Sequence, residues 1–193
     1  MGNSEVGHIN LGAGRIVYQN LAKINKAIVD NTLASEKVLV DTFEFAKQNN
    51  KTVHLLGLVS DGGIHSHMNH LKGLITAADN YGIENLFLHA FTDGRDTDPK
   101  SGKGFIADIQ EHCAKTNAQL ASVTGRYYAM DRDKRWERVK LAYDAVVNGE
   151  GNKTTDVLKA INDSYEDDIT DEFIKPIVLT DGTTKPIATI KEN

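Results

Sequence analysis

The chain has a single cysteine, Cys113, in 193 residues. No disulfide within the chain can staple it, so the fold must rest on a packed core, and the usage fits a reducing compartment. Cys113 follows His112, but neighbours along a helix do not face each other, so the thiol reads as a small half-buried side chain rather than a nucleophile. No apolar run approaches the roughly 20 residues that span a bilayer. The opening stretch MGNSEVGHIN has neither a basic n-region nor an apolar h-region, so it does not read as a signal peptide, and a cytoplasmic location is expected. Basic charge is also short. Against 27 Asp and Glu there are 22 Lys and Arg, for a net charge of -5. That balance argues against a broad nucleic-acid or anionic-membrane surface, while leaving room for a local basic pocket suited to a small anion. Internal repeats and low-complexity segments are missing as well.

What is present is the composition of a soluble globular protein, 40% hydrophobic and 25% charged, long enough for one real core. Residues 1–15 are Gly-rich and read as irregular. Leu39, Phe43 and Ala46 recur at i, i+4, i+7, which predicts a helix over 32–49. Val53 to Val59 reads as a buried strand. Met68, Leu71, Leu74, Ile75 and Ala78 form the next helical stripe, ended by Gly82. Leu86–Phe91 and Leu120–Val123 read as further strands, with a helix through Phe105, Ile109 and Cys113 between them. Trp136, Val139, Tyr143 and Val146 mark another helix, stopping near Gly149, and a shorter one is expected over 154–163. Ile174–Thr180 and Ile187–Ile190 read as late strands around a Thr180-Asp181-Gly182 turn. The acidic stretch Ser164–Glu172 reads as a solvated loop. The alternation implies a three-layer sandwich, a largely parallel or mixed sheet with helices on both faces.

Each of the first three strands runs into a polar segment: Ser60-Asp61-Gly62-Gly63-Ile64-His65, then Thr92-Asp93-Gly94-Arg95-Asp96, then Thr124-Gly125-Arg126. If the strands are parallel, these segments share the sheet edge at which open α/β folds bind ligands. His65, Asp93, Arg95, Asp96 and Arg126 would then converge, with Arg132 just beyond, at the start of the next helix. Arginines beside a histidine and aspartates suit an anionic, hydroxylated ligand. Taken singly, Gly-containing loops after strands are ordinary turn chemistry; it is the set of three that points to a site. Arg135 and Arg138 read instead as surface partners of Glu137 and Asp133.

Other candidates are weaker. His67 and His70 are spaced i, i+3 and hint at a metal site, but no supporting carboxylate or defined geometry is evident. Gly12-Ala13-Gly14 lacks a preceding strand and a third glycine, and Ser101-Gly102-Lys103-Gly104 lacks most of a P-loop. Ser4 reads most simply as a helix cap. It could instead carry a phosphoryl group at a helix N-terminus, yet a serine hydroxyl needs a base or metal to act, and nothing near residue 4 supplies one.

MGNSEVGHINLGAGRIVYQ resembles the nucleophile segment of the cofactor-independent phosphoglycerate mutases. LVSDGGIHSHMNHL, HAFTDGRDTDPKSGKGF and GRYYAMDRDKRWERV resemble three further signatures of that family, in its order, over residues 1 to about 147. The resemblance implies an isomerase that interconverts 3-phosphoglycerate and 2-phosphoglycerate in glycolysis through a phosphoserine intermediate. It needs no 2,3-bisphosphoglycerate. Ser4 matches the phosphoryl acceptor, itself a ligand of one of two manganese ions in the whole enzyme. His65, Arg95, Asp96, Arg126 and Arg132 match substrate-binding residues. The family's alkaline-phosphatase-like domain supplies the other metal ligands, and those have no match here; a later F-R-x-D-R motif and a downstream lysine are also absent. The expectation is therefore a monomeric fragment that binds no manganese alone and binds substrate weakly without turnover. Residues 1–18 would be the nucleophile segment and linker, and 19–193 a substrate-binding domain whose C-terminal end is cut short. A free-standing metal-dependent phosphatase and a non-catalytic anion-binding module remain as alternatives.

Overall fold

The computed structural model describes residues 4–191; Met1–Asn3, which open the segment around Ser4, lie outside the described residues. In chain order the elements are α1 (Ser4–Ala13), α2 (Asn20–Val29), a 3-10 turn (Leu33–Ser35), α3 (Lys37–Gln48), β1 (Val53–Val59), α4 (Met68–Tyr81), β2 (Leu86–Thr92), α5 (Gly102–Cys113), β3 (Ala118–Gly125), α6 (Arg126–Ala129), α7 (Trp136–Val147), β4 (Asn152–Thr154), α8 (Val157–Glu166), a second 3-10 turn (Asp171–Phe173) and β5 (Ile177–Leu179).

The strands form one mixed sheet in the order β1-β2-β3-β5-β4. β1, β2 and β3 are parallel neighbours. β5 returns antiparallel to β3 and pairs in parallel with β4. The apolar runs explain the centre of the sheet: Val59, Leu86, Leu88, Ala90 and Val123 are buried to 1% exposure or less. Ile75 of α4, Ile106 and Ile109 of α5 and Ile161 of α8 pack on them in a single core cluster. Fully burying a side chain of this size contributes about 1.5–3 kcal/mol, so this layer carries the fold. The helix ends follow local rules. Gly82 closes α4 at φ 83°, where a Cβ would be strained. Asp156 caps α8 by accepting from the Lys159 amide at 3.0 Å, which sets the helix start three residues later than its apolar pattern suggests.

The α/β sandwich expected from the sequence is present, and the parallel arrangement needed for the polar segments to converge holds for β1, β2 and β3. Several expectations need correction. Residues 4–13 are helical rather than irregular, in a helix with no buried residue. α3 begins at Lys37, because 33–35 form a 3-10 turn. Residues 187–190 are not a strand. They hang on single bonds, Ile187 N to Leu179 O at 2.9 Å and Ile190 N to Val146 O at 3.0 Å. Ser164–Glu172 is not a solvated loop: its first residues complete α8, and Asp171 is 1% exposed. The Asp171 carboxylate tolerates burial because it accepts from the Gly102 amide at 2.6 Å and from the Tyr165 hydroxyl, so its oxygens are satisfied.

Candidate functional site

The three polar segments do meet at the carboxyl edge of β1, β2 and β3. Between them and the 171–173 turn lies a cavity of about 130 Å³, lined by His65, Arg95, Arg126, Arg132, Arg138 and Glu172 among others. That is below the ~300–1,000 Å³ usual for drug-sized ligands and suits a compact one.

Arg126 is the fixed point. It opens α6 directly after the last residue of β3 and is 8% exposed. Its Nη1 donates to Asp93 Oδ1 and to Asp96 Oδ2, both at 2.6 Å. Asp93 Oδ1 also accepts from the amides of Arg95 at 3.2 Å and Asp96 at 3.0 Å, and Gly94 at φ 64° makes the turn that permits this. Burial alone would raise the Asp93 carboxyl. The Asp96 amide, the Ser60 hydroxyl, Arg126 and the Arg95 amide outweigh it and hold Asp93 below its ordinary value. Asp93 Oδ2 is nonetheless buried without an aligned hydrogen bond. Burial would lower Arg126, but the Asp96 and Asp93 carboxylates raise it further. The site therefore presents a permanent cation whose direction is set by two carboxylates.

The other residues are looser. His65 Nε2 stands 3.6 Å from Asp96 Oδ2. Arg95, its side chain 52% exposed, reaches Glu172 at 3.4 Å. Arg132 is exposed and makes no ion pair among the described residues. It sits in the connection before α7 rather than at that helix's start, because α7 begins only at Trp136. Arg135 meets Glu137 at 3.9 Å and Arg138 meets Asp133 at 3.3 Å, as their sequence positions suggest. Arg138 does more, however. It also pairs with Asp131 at 3.2 Å, lies 3.9 Å over the Tyr127 ring and lines the cavity. Sequence reasoning missed Glu172 altogether. It reaches the cavity from 77 residues beyond Arg95, through the returning turn before β5, and no local pattern marks that approach.

Ser4 does not line this cavity. It is exposed in the first turn of α1, its carbonyl accepting from His8 Nδ1 at 2.7 Å and its Oγ 3.5 Å from the same nitrogen. A ring nitrogen that donates to the carbonyl has no lone pair for the hydroxyl, so His8 in this tautomer does not act as its base. No group of three or more His, Cys, Asp or Glu among the described residues could hold a metal ion. The donor set around Ser4 thus does not fit a manganese site by itself. His67 caps α4 by accepting from the Asn69 amide at 3.2 Å, and His70 bonds to Asn25 at 2.6 Å. One ring nitrogen of each has a structural partner. In the second glycine-rich lookalike, the Gly102 amide is taken by Asp171 and Lys103 Nζ by Asn162 at 2.9 Å.

Comparison with known proteins relates the chain to them over most of its length. A family described as the BPG-independent PGAM N-terminus matches residues 24–193. The chain is 63% identical over 192 residues to the 2,3-bisphosphoglycerate-independent phosphoglycerate mutase of Flavobacterium johnsoniae, covering 100% of this chain and 38% of that protein. It is 59% identical over 187 residues to the enzyme of the same name from Bacteroides thetaiotaomicron, covering 96% and 37%. The crystal structure of Leishmania mexicana phosphoglycerate mutase at low cobalt concentration superposes with a TM-score of 0.86 at 33% identity, over 100% of this chain and 37% of that one. The chain thus spans about 38% of the length of the relatives it matches. No helix among the described residues is long and apolar enough to cross a membrane.

Proposed function

We propose, from the premise that this chain belongs to the BPG-independent phosphoglycerate mutase N-terminal family, that its cavity binds 3-phosphoglycerate and 2-phosphoglycerate as part of a longer protein that interconverts them. The observation that carries this reading is Arg126, held by Asp93 and Asp96 at 2.6 Å each, beside Arg95, Arg132 and His65 in one small cavity. A ligand with a carboxylate, a phosphoryl group and a hydroxyl matches that set. Guanidinium forks suit the two anionic groups, and Asp96 and His65 suit the hydroxyl.

In this reading Ser4 is the phosphoryl acceptor. Its Oγ forms a bond to phosphorus as the P–O bond of the substrate breaks, which gives phosphoserine and free glycerate. The serine proton passes to a base supplied from outside this chain, and the glycerate oxygen released gains one. Return of the group to the other glycerate hydroxyl restores Ser4, so neither water nor phosphate is consumed. The cavity residues hold glycerate while it changes register. The manganese that the family likeness implies would need donors from outside this chain, and it or a base from outside would have to activate Ser4, since nothing near residue 4 does so here. Residues 1–18 form the nucleophile segment and linker, 19–193 the substrate-binding domain. Ser4 is exposed and outside the cavity, which supports a chain that binds without turning over. We place the whole protein in the cytoplasm as a monomer that pairs this domain with an alkaline-phosphatase-like one. The histidine-metal phosphatase alternative loses its motivation, since His67 and His70 are engaged in capping and side-chain bonding.

The test is an NMR titration of the chain with 3-phosphoglycerate, following the backbone of 60–66, 92–96 and 124–132. Saturable shifts confined to those segments are expected. Their absence at millimolar ligand would overturn the reading.

A further inference from the structure

Two of the cavity's arginines are held very differently. Arg126 is buried and makes two 2.6 Å contacts. Arg95 is half exposed, and its ion pair is one long contact of 3.4 Å to Glu172. The backbone that carries the carboxylate at the other end of that pair is mounted rigidly. Asp171, one residue before it, donates its amide to Pro99 O at 2.9 Å, and its carbonyl accepts from the Thr92 hydroxyl at 2.7 Å. Its carboxylate is tied to Gly102 and Tyr165. The Glu172 backbone is also wedged between two glycines. A Cβ on Gly94 would lie 2.8 Å from the Glu172 amide nitrogen, and one on Gly125 would run into the Glu172 carbonyl. Phe173 completes the clamp against the Tyr127 ring at 5.0 Å. The Glu172 side chain is 18% exposed and lines the cavity.

A carboxylate on a fixed backbone, with one long contact to a half-exposed guanidinium, is the arrangement of a counter-ion that can be exchanged. We infer that Glu172 is a resident counter-ion for Arg95, so that an anionic ligand takes Arg95 by displacing Glu172 rather than by adding to a free cation. The inference rests on the phosphoglycerate-binding reading above and deepens it by naming how one arginine is gated. Two consequences follow. Arg95 does not attract anions as a free cation would, because Glu172 already neutralises it. Affinity is lowered by whatever the resident pair is worth, and exposed pairs are worth little.

The experiment compares the unchanged chain with Glu172→Gln and Glu111→Gln by calorimetric titration of 3-phosphoglycerate and inorganic phosphate, with the Arg95 Nε–Hε NMR signal recorded in parallel. Glu111 lies on α5 and pairs with Lys115, so its variant removes the same charge away from the cavity. Glu172→Gln is expected to bind phosphoglycerate about five-fold more tightly, roughly 1 kcal/mol, and Glu111→Gln to change it less than two-fold. The Arg95 signal should differ between Glu172→Gln and the unchanged chain when empty and coincide when saturated. Equal or weaker binding by Glu172→Gln, an equal gain in Glu111→Gln, or an unmoved empty-state signal overturns the inference and leaves phosphoglycerate binding standing. If the unchanged chain binds neither anion, the reading beneath it fails and the inference with it. Should Glu172→Gln not fold, Glu172→Asp keeps the charge but shortens the reach, and an intermediate gain in affinity is expected; none would count against the inference.

Discussion

His89 sits in the middle of β2, fully buried, with Ser122 Oγ 2.8 Å from one ring nitrogen and His54 Nδ1 3.0 Å from the other. Burial, and then the neighbouring His54, push its pKa from 6.5 down to about 4; burial lowers His54 as well. The folded state therefore binds fewer protons than the unfolded one below pH 6.5. The stability that depends on neutral His89 is complete above 6.5 and is lost as pH falls towards 4. Each pH unit inside that window is worth roughly 1.4 kcal/mol, so moving from pH 7 to pH 5 should cost about 2 kcal/mol of urea-measured stability. A His89→Gln chain should start less stable but show a much flatter profile; an identical slope in both would refute the assignment. Cys113 gives a second expectation. Burial pushes its thiol up to about 11, so the native chain should resist Ellman's reagent at pH 8 and release one equivalent on unfolding. Rapid labelling of the native chain would contradict the structure. The thiol's inertness was legible from its place in a helical stripe. The His54–His89 pair was not, because its two members are 35 residues apart and meet only through strand register.

Among the elements, the 171–173 turn decides the shape of the site, and two glycines test it. A methyl on Gly125 would lie 2.7 Å from Ile174 N and closer still to the Glu172 carbonyl, both backbone atoms. Neither can yield cheaply, so Gly125→Ala should lose about 2–4 kcal/mol of stability and weaken anion binding, since Arg126 is the next residue. Gly57→Ala, with nothing within 4 Å of the added carbon, should stay within about 0.5 kcal/mol. A Gly125→Ala chain as stable as the parent, by denaturant unfolding, would show that the turn can move. The same contrast explains what the sequence could reveal. β1 is mostly apolar, broken by His54, and its limits of Val53 and Val59 match the sequence reading. α1 and α2 bury no residue completely, so no apolar stripe of core quality announces them. β4 has three residues, too few for any period to register. The 171–173 turn reads as solvent-facing because it is acidic, and its burial depends on Gly102, 69 residues earlier. His65, Arg95, Asp96 and Arg126 were recoverable because each follows a strand that could be recognised. Glu172 follows none.

At the scale of the whole chain, the cavity and Ser4, the proposed nucleophile, belong to different regimes. The cavity is built on buried strands and a buried arginine. Ser4 rides on a helix with no buried residue, beyond the cavity lining, in a chain that spans about 38% of its relatives' length. If binding and phosphoryl transfer are separable in this way, the two should respond to different substitutions. Ser4→Ala should leave 3-phosphoglycerate affinity within two-fold, because no contact of the cavity involves it. Arg126→Met should abolish binding and also destabilise the chain by about 3–5 kcal/mol, since it leaves Asp93 and Asp96 without their shared cation and Asp93 is 1% exposed. The destabilisation should shrink as pH falls, because protonating the stranded Asp93 carboxylate removes its uncompensated charge; raising pH should restore it. Phosphorus NMR of the unchanged chain with 3-phosphoglycerate is then expected to show line shifts from binding and no growth of the 2-phosphoglycerate signal. Growth of that signal, lost in Ser4→Ala, would mean that α1 can reach the cavity in solution and that this chain carries the transfer as well as the binding.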